Sequence, residues 1–529
     1  MSLGASVARS FSSKASSVAR AFDPKLGQRS LFDALIDAAE AHGWKKPILE
    51  DQDRKPLTYR DMIRGCFALG RKIAARTKAG ERVALLLPTS AGGAVTFFAL
   101  QAIGRTPVML NFTSGPRNLK AALALTEAKL ILTSRRFVAQ ARLEELAGEL
   151  EGVAQLIYLE DVKAAIGVAD KLYAAAAGAA PRLFRKAVKP GDIGVILFTS
   201  GSFAAPRGVV LTQANVVANA EQTAAVIDID PAWTLFNPLP IFHALGLVAM
   251  VLPLLRGVKT FLYPSPLHTK IIVDLVRDTQ AHVLVSTDTF LGQYARAADP
   301  GDLSGLTFVF CGAEKVREPT RALIAEKFGA VNLLEGYGAT EASPVIAVNP
   351  LHDNRHGSVG RLLPDIEVRL EPVEGIHEGG RLFVRGPNVM AGYLDAAGLE
   401  PPEDGWHDTG DIAVLEADNY LRLLGRAKRF AKIGGEMISL QAVEDLAAGL
   451  WPDGWCAVAA VADPKKGERL VLLTDSAQAT SQALLAHAQA AGAPDIAIPR
   501  KVIKVGGPVL LGTGKTDYAA VQRIAVAES

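Results

Sequence analysis

Short apolar runs alternate with segments of helical periodicity through most of this chain, and this alternation restricts the fold more than any other feature. Apolar runs at 83–87, 107–110 and 130–133 are each followed by a stretch in which apolar residues recur at helical spacing. The same rhythm resumes at 283–286 and 332–335. Strands that alternate with helices in this way are typical of α/β layers on largely parallel sheets. We therefore expect a large α/β domain of stacked layers.

The pattern changes in the last third of the chain. From about residue 359 the apolar runs become shorter and are separated by turn residues, as at 366–370 and 380–384, which predicts a small β subdomain. A chain of 529 residues is also too long for one ordinary core. The predicted parts are a tail (1–27), a large N-terminal domain (28–424), a boundary segment (425–428) and a small C-terminal α+β domain (429–529).

Composition excludes several classes of protein. A net charge of +2 without a long basic stripe argues against a nucleic-acid-binding protein. No apolar run reaches membrane-spanning length, since the longest, 244–255, contains Pro253 and stops at Arg256. That run predicts a buried helix. Three cysteines that are far apart in sequence indicate no disulfide framework or metal knuckle, so a reducing, cytoplasmic location is expected.

The first 22 residues leave the location open. They contain Ser, Arg, Ala and Lys but no acidic residue, a composition that resembles a transit peptide. A plain tail and a weak interfacial helix explain the segment equally well. Peripheral contact with the inner membrane and a mitochondrial address therefore stand as alternatives to the cytoplasm.

A strand-loop-strand segment near the middle of the chain has the composition of a phosphate-binding loop. The apolar run 193–198 passes into small and hydroxylated residues at 199–202, and Pro-Arg-Gly at 206–208 precedes a second apolar run. Backbone N–H groups and hydroxyls of such a loop donate to phosphate oxygens, and Arg207 adds a positive charge. No Gly-Lys-Ser/Thr closes the segment, so it is not a Walker loop. Taken alone, it is also explained as a tight turn between two strands.

Four further motifs follow this loop in order: YGATE at 337–341, GWHDTGD at 405–411, GRAK at 425–428 and GTGK at 512–515. With them the chain resembles the adenylate-forming superfamily of acyl-CoA and acyl-carrier-protein synthetases. The amino-acid sequence between the motifs, such as FNPLPIFH at 236–243, is similar to that of the acyl-[acyl-carrier-protein] synthetase half of bifunctional 2-acylglycerophosphoethanolamine acyltransferase/acyl-ACP synthetases. The His-x-x-x-x-Asp spacing that the acyltransferase half needs does not occur in this sequence.

The resemblance implies a reaction and its partners. ATP and Mg²⁺ would convert a fatty acid to an acyl-adenylate, and the acyl group would pass to the phosphopantetheine thiol of acyl carrier protein. Coenzyme A is the first alternative acceptor, and a catalytically degenerate protein that binds acyl chains or a carrier is the second. The C-terminal domain would be mobile and would turn about Lys428.

The resemblance also implies roles for individual residues. Lys515 would reach the carboxylate and the α-phosphate, Glu341 would hold Mg²⁺ with help from Thr199, and His243 would lie at the carboxylate site. Gly434 and Gly435 would allow the pantetheine arm to approach. The residues implied to contact the nucleotide are Thr199, Ser200, Gly201, Ser202, Arg207, Gly208, Gly312, Ala313, Glu314, Gly336, Tyr337, Gly338, Thr340, Asp411 and Arg426.

Each of these residues also has a structural explanation. Tyr337 suits core packing, Asp411 and Arg426 suit a mutual salt bridge, and a lone histidine beside apolar residues is usually a satisfied core residue. An exposed lysine such as Lys515 is common on any surface. The basic residues of the C-terminal domain suit an acidic carrier protein, although ordinary solvated charge explains each of them: Arg429, Lys432, Arg500, Lys501 and Lys504.

The phosphate loop departs from the family pattern at three positions. Phe203 and Ala204 stand where Thr and Gly are usual, so a hydroxyl donor and the φ freedom of a glycine are lost. Arg207 replaces the usual lysine and keeps the charge but not the shape. These departures keep the degenerate alternative open, whereas retention of Glu341, Asp411, Arg426 and Lys515 argues against it.

Overall fold

The structure is a computed structural model of the chain. It describes residues 22–199, 206–433, 436–463, 467–490, 495–511 and 515–528. Among these residues, no helix is long and apolar enough to cross a membrane.

The strands are short, as the apolar runs predict. They are β1 (Pro47–Asp51), β2 (Leu57–Thr58), β3 (Arg82–Leu85), β4 (Thr106–Met109), β5 (Leu130–Thr133), β6 (Gln155–Tyr158), β7 (Ile193–Thr199), β8 (Arg207–Thr212), β9 (Thr234–Asn237), β10 (Lys259–Leu262), β11 (Val283–Ser286), β12 (Phe308–Cys311), β13 (Asn332–Gly338), β14 (Val345–Val348), β15 (Arg361–Leu362), β16 (Glu367–Glu371), β17 (Gly380–Arg385), β18 (Gly392–Asp395), β19 (Gly398–Glu400), β20 (His407–Leu415), β21 (Leu421–Arg426), β22 (Phe430–Ile433), β23 (Glu436–Ser439), β24 (Cys456–Asp463), β25 (Gly467–Thr474) and β26 (Lys501–Lys504).

Helices occupy most of the segments between these strands. They are α1 (Pro24–Gly27), α2 (Leu31–His42), α3 (Tyr59–Ala74), α4 (Ala91–Ala102), α5 (Pro116–Thr126), α6 (Arg135–Gln140), α7 (Glu144–Glu151), α8 (Leu159–Ala164), α9 (Val168–Ala179), α10 (Pro181–Phe184), α11 (Gln213–Val226), α12 (Ala244–Leu255), α13 (Thr269–Asp278), α14 (Asp288–Ala297), α15 (Glu318–Phe328), α16 (Leu440–Leu450), α17 (Ser481–Ala490) and α18 (Tyr518–Ala527).

Two large sheets form the framework. One has nine strands in the order β15-β14-β13-β12-β11-β9-β10-β1-β2, and the other has eight in the order β19-β18-β8-β7-β4-β3-β5-β6. The central pairs of both sheets are parallel. Both faces of the second sheet are covered, because Val195 and Leu197 join one apolar cluster while Ile196 between them joins another. Burial on both faces explains why such strands read as uninterrupted apolar runs.

Local signals fix where the helices between the sheets begin. Thr58 and Asp61 form a capping box at the start of α3, and Thr212 and Asn215 form one at the start of α11. Helix α12 is buried on nearly its whole circumference, as its uniformly apolar sequence predicts. The carboxyl end of β9 and the N-terminus of α12 are thereby held at one edge of the nine-stranded sheet.

The last third of the chain forms two smaller sheets. Strands β16, β17, β20 and β21 make an antiparallel sheet, which corresponds to the predicted β subdomain. Strands β22 to β26 make a mixed sheet with α16, α17 and α18 against it, and two apolar clusters in this C-terminal unit contain only its own residues. The domain boundaries themselves remain predictions.

Three segments differ from the sequence-based expectation. The stretch of helical spacing that follows residue 133 forms two helices, α6 and α7, and the Ala-rich stretch 163–180 divides at Gly167 between α8 and α9. Strand β18 follows the β subdomain's first hairpin in sequence but pairs with β8 in the eight-stranded sheet, and β19 pairs with β18 at the edge of that sheet. Pairing across nearly two hundred residues leaves no local signal, so sequence reading missed it.

Candidate active site

A cavity of about 1250 Å³ lies at the carboxyl ends of β9, β12 and β13 and is closed on one side by the C-terminal unit. Ligand sites of open α/β sheets form at this edge because loops from several strands meet there. The cavity brings together most of the residues predicted from sequence: Thr199, His243, Gly312, Ala313, Gly336, Tyr337, Gly338, Thr340, Glu341, Arg426 and Lys515.

Asp411 lies immediately behind the cavity wall and is held by two partners. The Tyr337 hydroxyl donates to one carboxylate oxygen, and the Arg426 Nε lies 2.8 Å from the other. Burial raises the pKa of Asp411, and the positive charge of Arg426 opposes that rise. The predicted salt bridge and the predicted packing of Tyr337 are therefore both present, and neither excludes a nucleotide contact.

Glu341 projects from a single 3₁₀ turn, Thr340–Ala342, that follows β13. The Tyr393 hydroxyl donates to its Oε1 at 2.6 Å. Burial raises the pKa of Tyr393, and the neighbouring Glu341 charge adds to the rise, so this phenol stays a donor at neutral pH. Within the described residues, the other Glu341 carboxylate oxygen accepts no hydrogen bond. Sequence reading missed Tyr393, which lies outside every motif used above.

Arg207 is not among the residues that line the cavity, and its side chain is engaged elsewhere. Its guanidinium lies 3.9 Å from the centroid of the Tyr393 ring, and its Nη2 lies 2.9 Å from Glu400 Oε2. Arginine stacks on aromatic faces in this way and lysine does so less well. Arg207, Tyr393 and Glu341 thus form a contact chain between the start of β8 and the cavity.

His243 occupies the N-cap position of α12 without a side-chain hydrogen bond to the helix, and its ring lies beside Phe242 at a centroid distance of 4.6 Å. Burial lowers the pKa of His243 to about 4, and the charge of Lys515 contributes. The imidazole is therefore neutral at physiological pH. The positive end of the α12 dipole faces the same part of the cavity, where it favours an anionic group.

Lys515 reaches the cavity from the C-terminal unit. The Lys515 side chain remains in contact with solvent at the cavity rim. Partial desolvation of its ammonium group in the cleft nevertheless lowers the pKa of Lys515. Glu314 opposes this shift, and Arg426 adds to it. A cation from one unit therefore lies across the cavity from His243 and Glu341 of the other.

Ion pairs connect the two units. Lys315 Nζ lies 2.6 Å from Asp445 Oδ2 in α16, and Lys432 Nζ lies 3.0 Å from Glu374 Oε1 in the β subdomain. The Ser439 hydroxyl also donates to the Leu424 carbonyl at 3.1 Å. These contacts surround the short 3₁₀ turn that contains the exposed Lys428, the predicted hinge residue.

Several predicted residues have structural roles. A Glu314 carboxylate oxygen accepts from the Thr289 N–H at the start of α14. A side chain at Gly336 would place Cβ 2.6 Å from the Phe310 ring, and one at Gly312 would place it 3.2 Å away. These glycines therefore admit an aromatic wall residue, whatever they do for adenine. Gly208 packs against Ile196 and Leu394.

Some predictions lie outside the described residues. They concern Ser200, Gly201, Ser202, Phe203, Ala204, Gly434 and Gly435, together with the tail up to residue 21 and residues 512–514.

The predicted basic docking face is wrong for Arg429. Its Nη2 lies 2.5 Å from the buried Glu444, and its guanidinium stacks 3.7 Å from the Tyr518 ring centroid. Lys432 is engaged by Glu374, and Lys504 donates to the Ala477 carbonyl. Arg500 is exposed and Lys501 is partly exposed. Sequence cannot separate a cation that is paired within its own domain from one that faces solvent.

An apolar arm of the cavity leads away from His243. Phe112 packs edge-on against Phe242 and Phe137, with ring centroids 4.9 and 5.1 Å apart, and all three rings line the cavity. The arm continues to a surface rim that includes Leu159 and Lys163 of α8. The lining is aromatic next to His243 and includes charged residues, such as Glu160, at this rim.

Comparison with known proteins identifies the family. The sequence profile described as AMP-binding enzyme matches residues 35–394. A feruloyl-CoA synthase of an Amycolatopsis species is 30% identical over 81% of this chain and 86% of its own length, and the medium-chain fatty-acid–CoA ligase of Escherichia coli is 27% identical over 84% and 80%. ATP-bound MatB from Rhodopseudomonas palustris has the same fold, with a TM-score of 0.80 at 22% identity over 94% of this chain and 99% of MatB.

The predicted adenylate-forming fold is thereby confirmed. From the length of the profile match and the coverage of its relatives, the chain belongs to the AMP-binding enzyme family.

Proposed function

We propose that this protein is an ATP-dependent fatty-acid ligase that forms an acyl-adenylate and transfers the acyl group to a phosphopantetheine thiol. The observation that carries the proposal is the cavity in which Lys515 of the C-terminal unit lies across from His243, Glu341 and Thr199. An oxyanion attacking a phosphate needs cations and donors placed around both groups, and this cavity supplies them.

In the first step a carboxylate oxygen attacks the α-phosphorus of ATP, a new O–P bond forms and pyrophosphate leaves. The neutral His243 and the N-terminus of α12 would orient the carboxylate. Lys515 would neutralise charge that builds up between the carboxylate and the α-phosphate. Asp411, fixed by Tyr337 and Arg426, would accept hydrogen bonds from the ribose hydroxyls.

Glu341 fits a magnesium ligand. Mg²⁺ is usually held by one or two carboxylates together with substrate phosphates, so a single carboxylate with an unoccupied oxygen suffices. Among the described residues, no cluster of three or more metal-ligating side chains occurs. When bound there, Mg²⁺ would neutralise phosphate charge, and Tyr393 would orient Glu341 toward it.

The aromatic arm supports a fatty acid as the substrate. The arm begins at Phe242, next to the polar group His243, so a carboxylate at His243 would direct an alkyl chain along the Phe112 and Phe137 rings. The name of the Escherichia coli relative, a medium-chain fatty-acid–CoA ligase, supports the same class.

Two acceptors remain, and each has its own support. The sequence likeness between motifs favours acyl carrier protein. The names of the curated relatives favour coenzyme A, which is the second candidate. In either case a thiol sulfur bonds to the acyl carbon, AMP leaves and the thiol proton passes to solvent.

The test is a pyrophosphate-release assay with ATP, Mg²⁺ and hexadecanoate, followed by addition of coenzyme A or of phosphopantetheinylated carrier protein. Mass spectrometry of the carrier, or of coenzyme A, identifies the acceptor that gains the acyl mass. A preference for the acidic carrier should weaken with salt, because its docking is electrostatic. No pyrophosphate release with any acid would overturn the proposal and leave a non-catalytic binding protein.

A further inference from the structure

One helix displays an apolar face to solvent. In α9, Val168 is 74% exposed and Leu172 is 66% exposed, and three exposed alanines, Ala175, Ala176 and Ala179, follow at helical spacing. At 100° per residue these positions span about 100° of the helix surface. Leu183 in the adjoining α10 is 83% exposed.

The opposite face of α9 is packed, so the direction of the apolar face is fixed. Asp170, Ala174, Ala177 and Gly178 are buried. A Cβ at Gly178 would lie 2.5 Å from the Arg64 side chain of α3, and Asp170 lies 2.6 Å from Lys72 Nζ. Large apolar side chains that are held outward on an anchored helix mark an interaction surface more often than single exposed leucines do.

The segment that carries this face is rich in basic residues. Residues 163–189 contain six Lys or Arg residues and one acidic residue, Asp170, which is paired with Lys72. Arg182 and Arg185 are paired with acidic residues of α2. Four exposed lysines make no ion pair with any described residue: Lys163, Lys171, Lys186 and Lys189. An apolar stripe with a cationic margin has the chemistry that binds the interface of an anionic bilayer.

The exposed face of α9 begins close in sequence to a residue of the cavity rim. Lys163 of α8 lies at the rim of the aromatic arm, and Val168 begins α9 five residues later. We propose that the exposed face of α9 and α10 docks on an anionic phospholipid surface and presents the rim of the arm to it. The docking surface rests on exposure and charge alone, whereas its use in collecting a fatty acid rests on the proposed function.

The experiment is co-sedimentation of the full chain with phosphatidylcholine vesicles that contain or lack about 30% phosphatidylglycerol. We expect at least about fivefold more sedimented protein with the anionic vesicles, and we expect high salt to reduce that excess. The double variant Leu172→Glu/Leu183→Glu should lose most of it. Val526→Glu, at a 59% exposed position on α18, is the matched control and should retain it.

Three results would overturn the proposal. One is equal binding of the double variant and the Val526→Glu control. Another is loss of vesicle binding on deletion of residues 1–21 with the α9 face intact, which would make that segment the anchor. A third is a dimer by light scattering that the double variant converts to monomer, which would assign the face to a second copy.

Activity separates this proposal from the proposed function. Pyrophosphate release with octanoate, a water-soluble acid, should be the same in the double variant and the unaltered protein. A double variant that folds but is inactive with octanoate would count against a pure docking role. Absence of release in the unaltered protein would refute the ligase and leave the vesicle result to be judged by itself.

Discussion

The two ends of the cavity are built differently. At the end that we propose binds the nucleotide, called the nucleotide end, charged and hydroxyl groups are fixed in pairs, with Asp411 between Tyr337 and Arg426 and with Glu341 held by Tyr393. At the end that we propose binds the acyl chain, called the acyl end, aromatic rings pack edge to edge around Phe112 without a fixed polar group between them. The first end suits one rigid ligand, whereas the second suits a range of chains.

This difference indicates where the chemistry and the selectivity of the protein lie. Charges placed in advance stabilise a transition state because they need little rearrangement when the reaction occurs. Apolar contacts discriminate poorly between chains that differ by a methylene group. Substitutions at the nucleotide end should therefore change rate for every acid, and substitutions at the acyl end should change the order of preference among acids.

The largest effect is expected at Lys515. Lys515→Ala should lower adenylate formation about 10²- to 10³-fold for all acids, because it removes a preorganised cation from the reacting groups. Exchange of labelled pyrophosphate into ATP measures this half-reaction. Lys504→Ala in the same unit is the control and should retain the rate. A loss confined to thiol transfer would contradict the assigned role.

The next largest effect tests whether the hydroxyl of Tyr393 orients Glu341. Tyr393→Phe removes the hydroxyl that donates to Glu341 and keeps the ring beneath Arg207. We expect about a 10-fold loss of activity with a raised Mg²⁺ requirement, as for other groups that orient a metal ligand. Titration of the rate with Mg²⁺ measures both. Tyr158→Phe, on the edge strand β6, is the control and should change neither the activity nor the Mg²⁺ requirement. An unchanged Mg²⁺ requirement in Tyr393→Phe would refute the proposal that Tyr393 orients a metal ligand.

The acyl end is tested by narrowing the arm. Phe112→Trp should lower kcat/KM for hexadecanoate about 10-fold more than for hexanoate, because the larger ring obstructs a long chain but leaves the His243 end free. The chain-length series is measured by pyrophosphate release. Phe383→Trp, at a partly exposed ring in the β subdomain, is the control. An equal loss for all acids would place the chain elsewhere.

Sequence predicted the nucleotide end better than the acyl end. Lys515 and Glu341 stand in short motifs in which turn residues aim a polar group, and the structure brings both to one cavity. The alternation of strands and helices likewise predicted the layered α/β framework, because a two-residue or a 3.6-residue period reflects which faces are buried. Both kinds of signal are local in the chain.

The features that sequence missed depend on contacts between distant residues. Tyr393 reaches Glu341 only because β18 pairs with β8, and Arg429 loses its expected solvent exposure to Glu444 in a helix further along. The aromatic arm is assembled from three separate loops and helices and has no motif. Such contacts follow from the tertiary fold and leave no spacing to detect.

A smaller effect concerns the pH dependence of stability and comes from His243, which lies between the two ends of the cavity. The folded pKa of His243 is about 4, below the ordinary value of 6.5. The unfolded chain therefore binds a proton between these values that the native chain does not, so the free energy of unfolding falls as pH falls from about 6.5 to 4. His243→Gln should flatten this fall by about 1–3 kcal/mol in denaturant titrations.

A second histidine, His407, also contributes to the pH dependence of the free energy of unfolding. Burial also lowers the pKa of His407, so part of the slope should remain in His243→Gln. At pH above 7 the free energy of unfolding should depend on pH equally in the unaltered protein and in His243→Gln. The imidazoles of His243 and His407 are then neutral in both the folded and the unfolded chain. An unchanged slope between pH 4 and 6.5 would mean that His243 keeps its solvent contact and does not line a closed carboxylate site.

The smallest effect lies outside both ends, at an ion pair between the C-terminal unit and the rest of the chain. Lys315 and Asp445 are exposed by 57% and 33%, and an exposed ion pair contributes at most about 1 kcal/mol. Asp445→Asn should therefore alter the ratio of thiol transfer to adenylate formation by only about 2- to 3-fold, in favour of thiol transfer if the unit must turn for that step. Measuring both half-reactions in Lys315→Gln, Asp445→Asn and the double variant gives the coupling. If the effects add without coupling, the pair does not stabilise the closed arrangement.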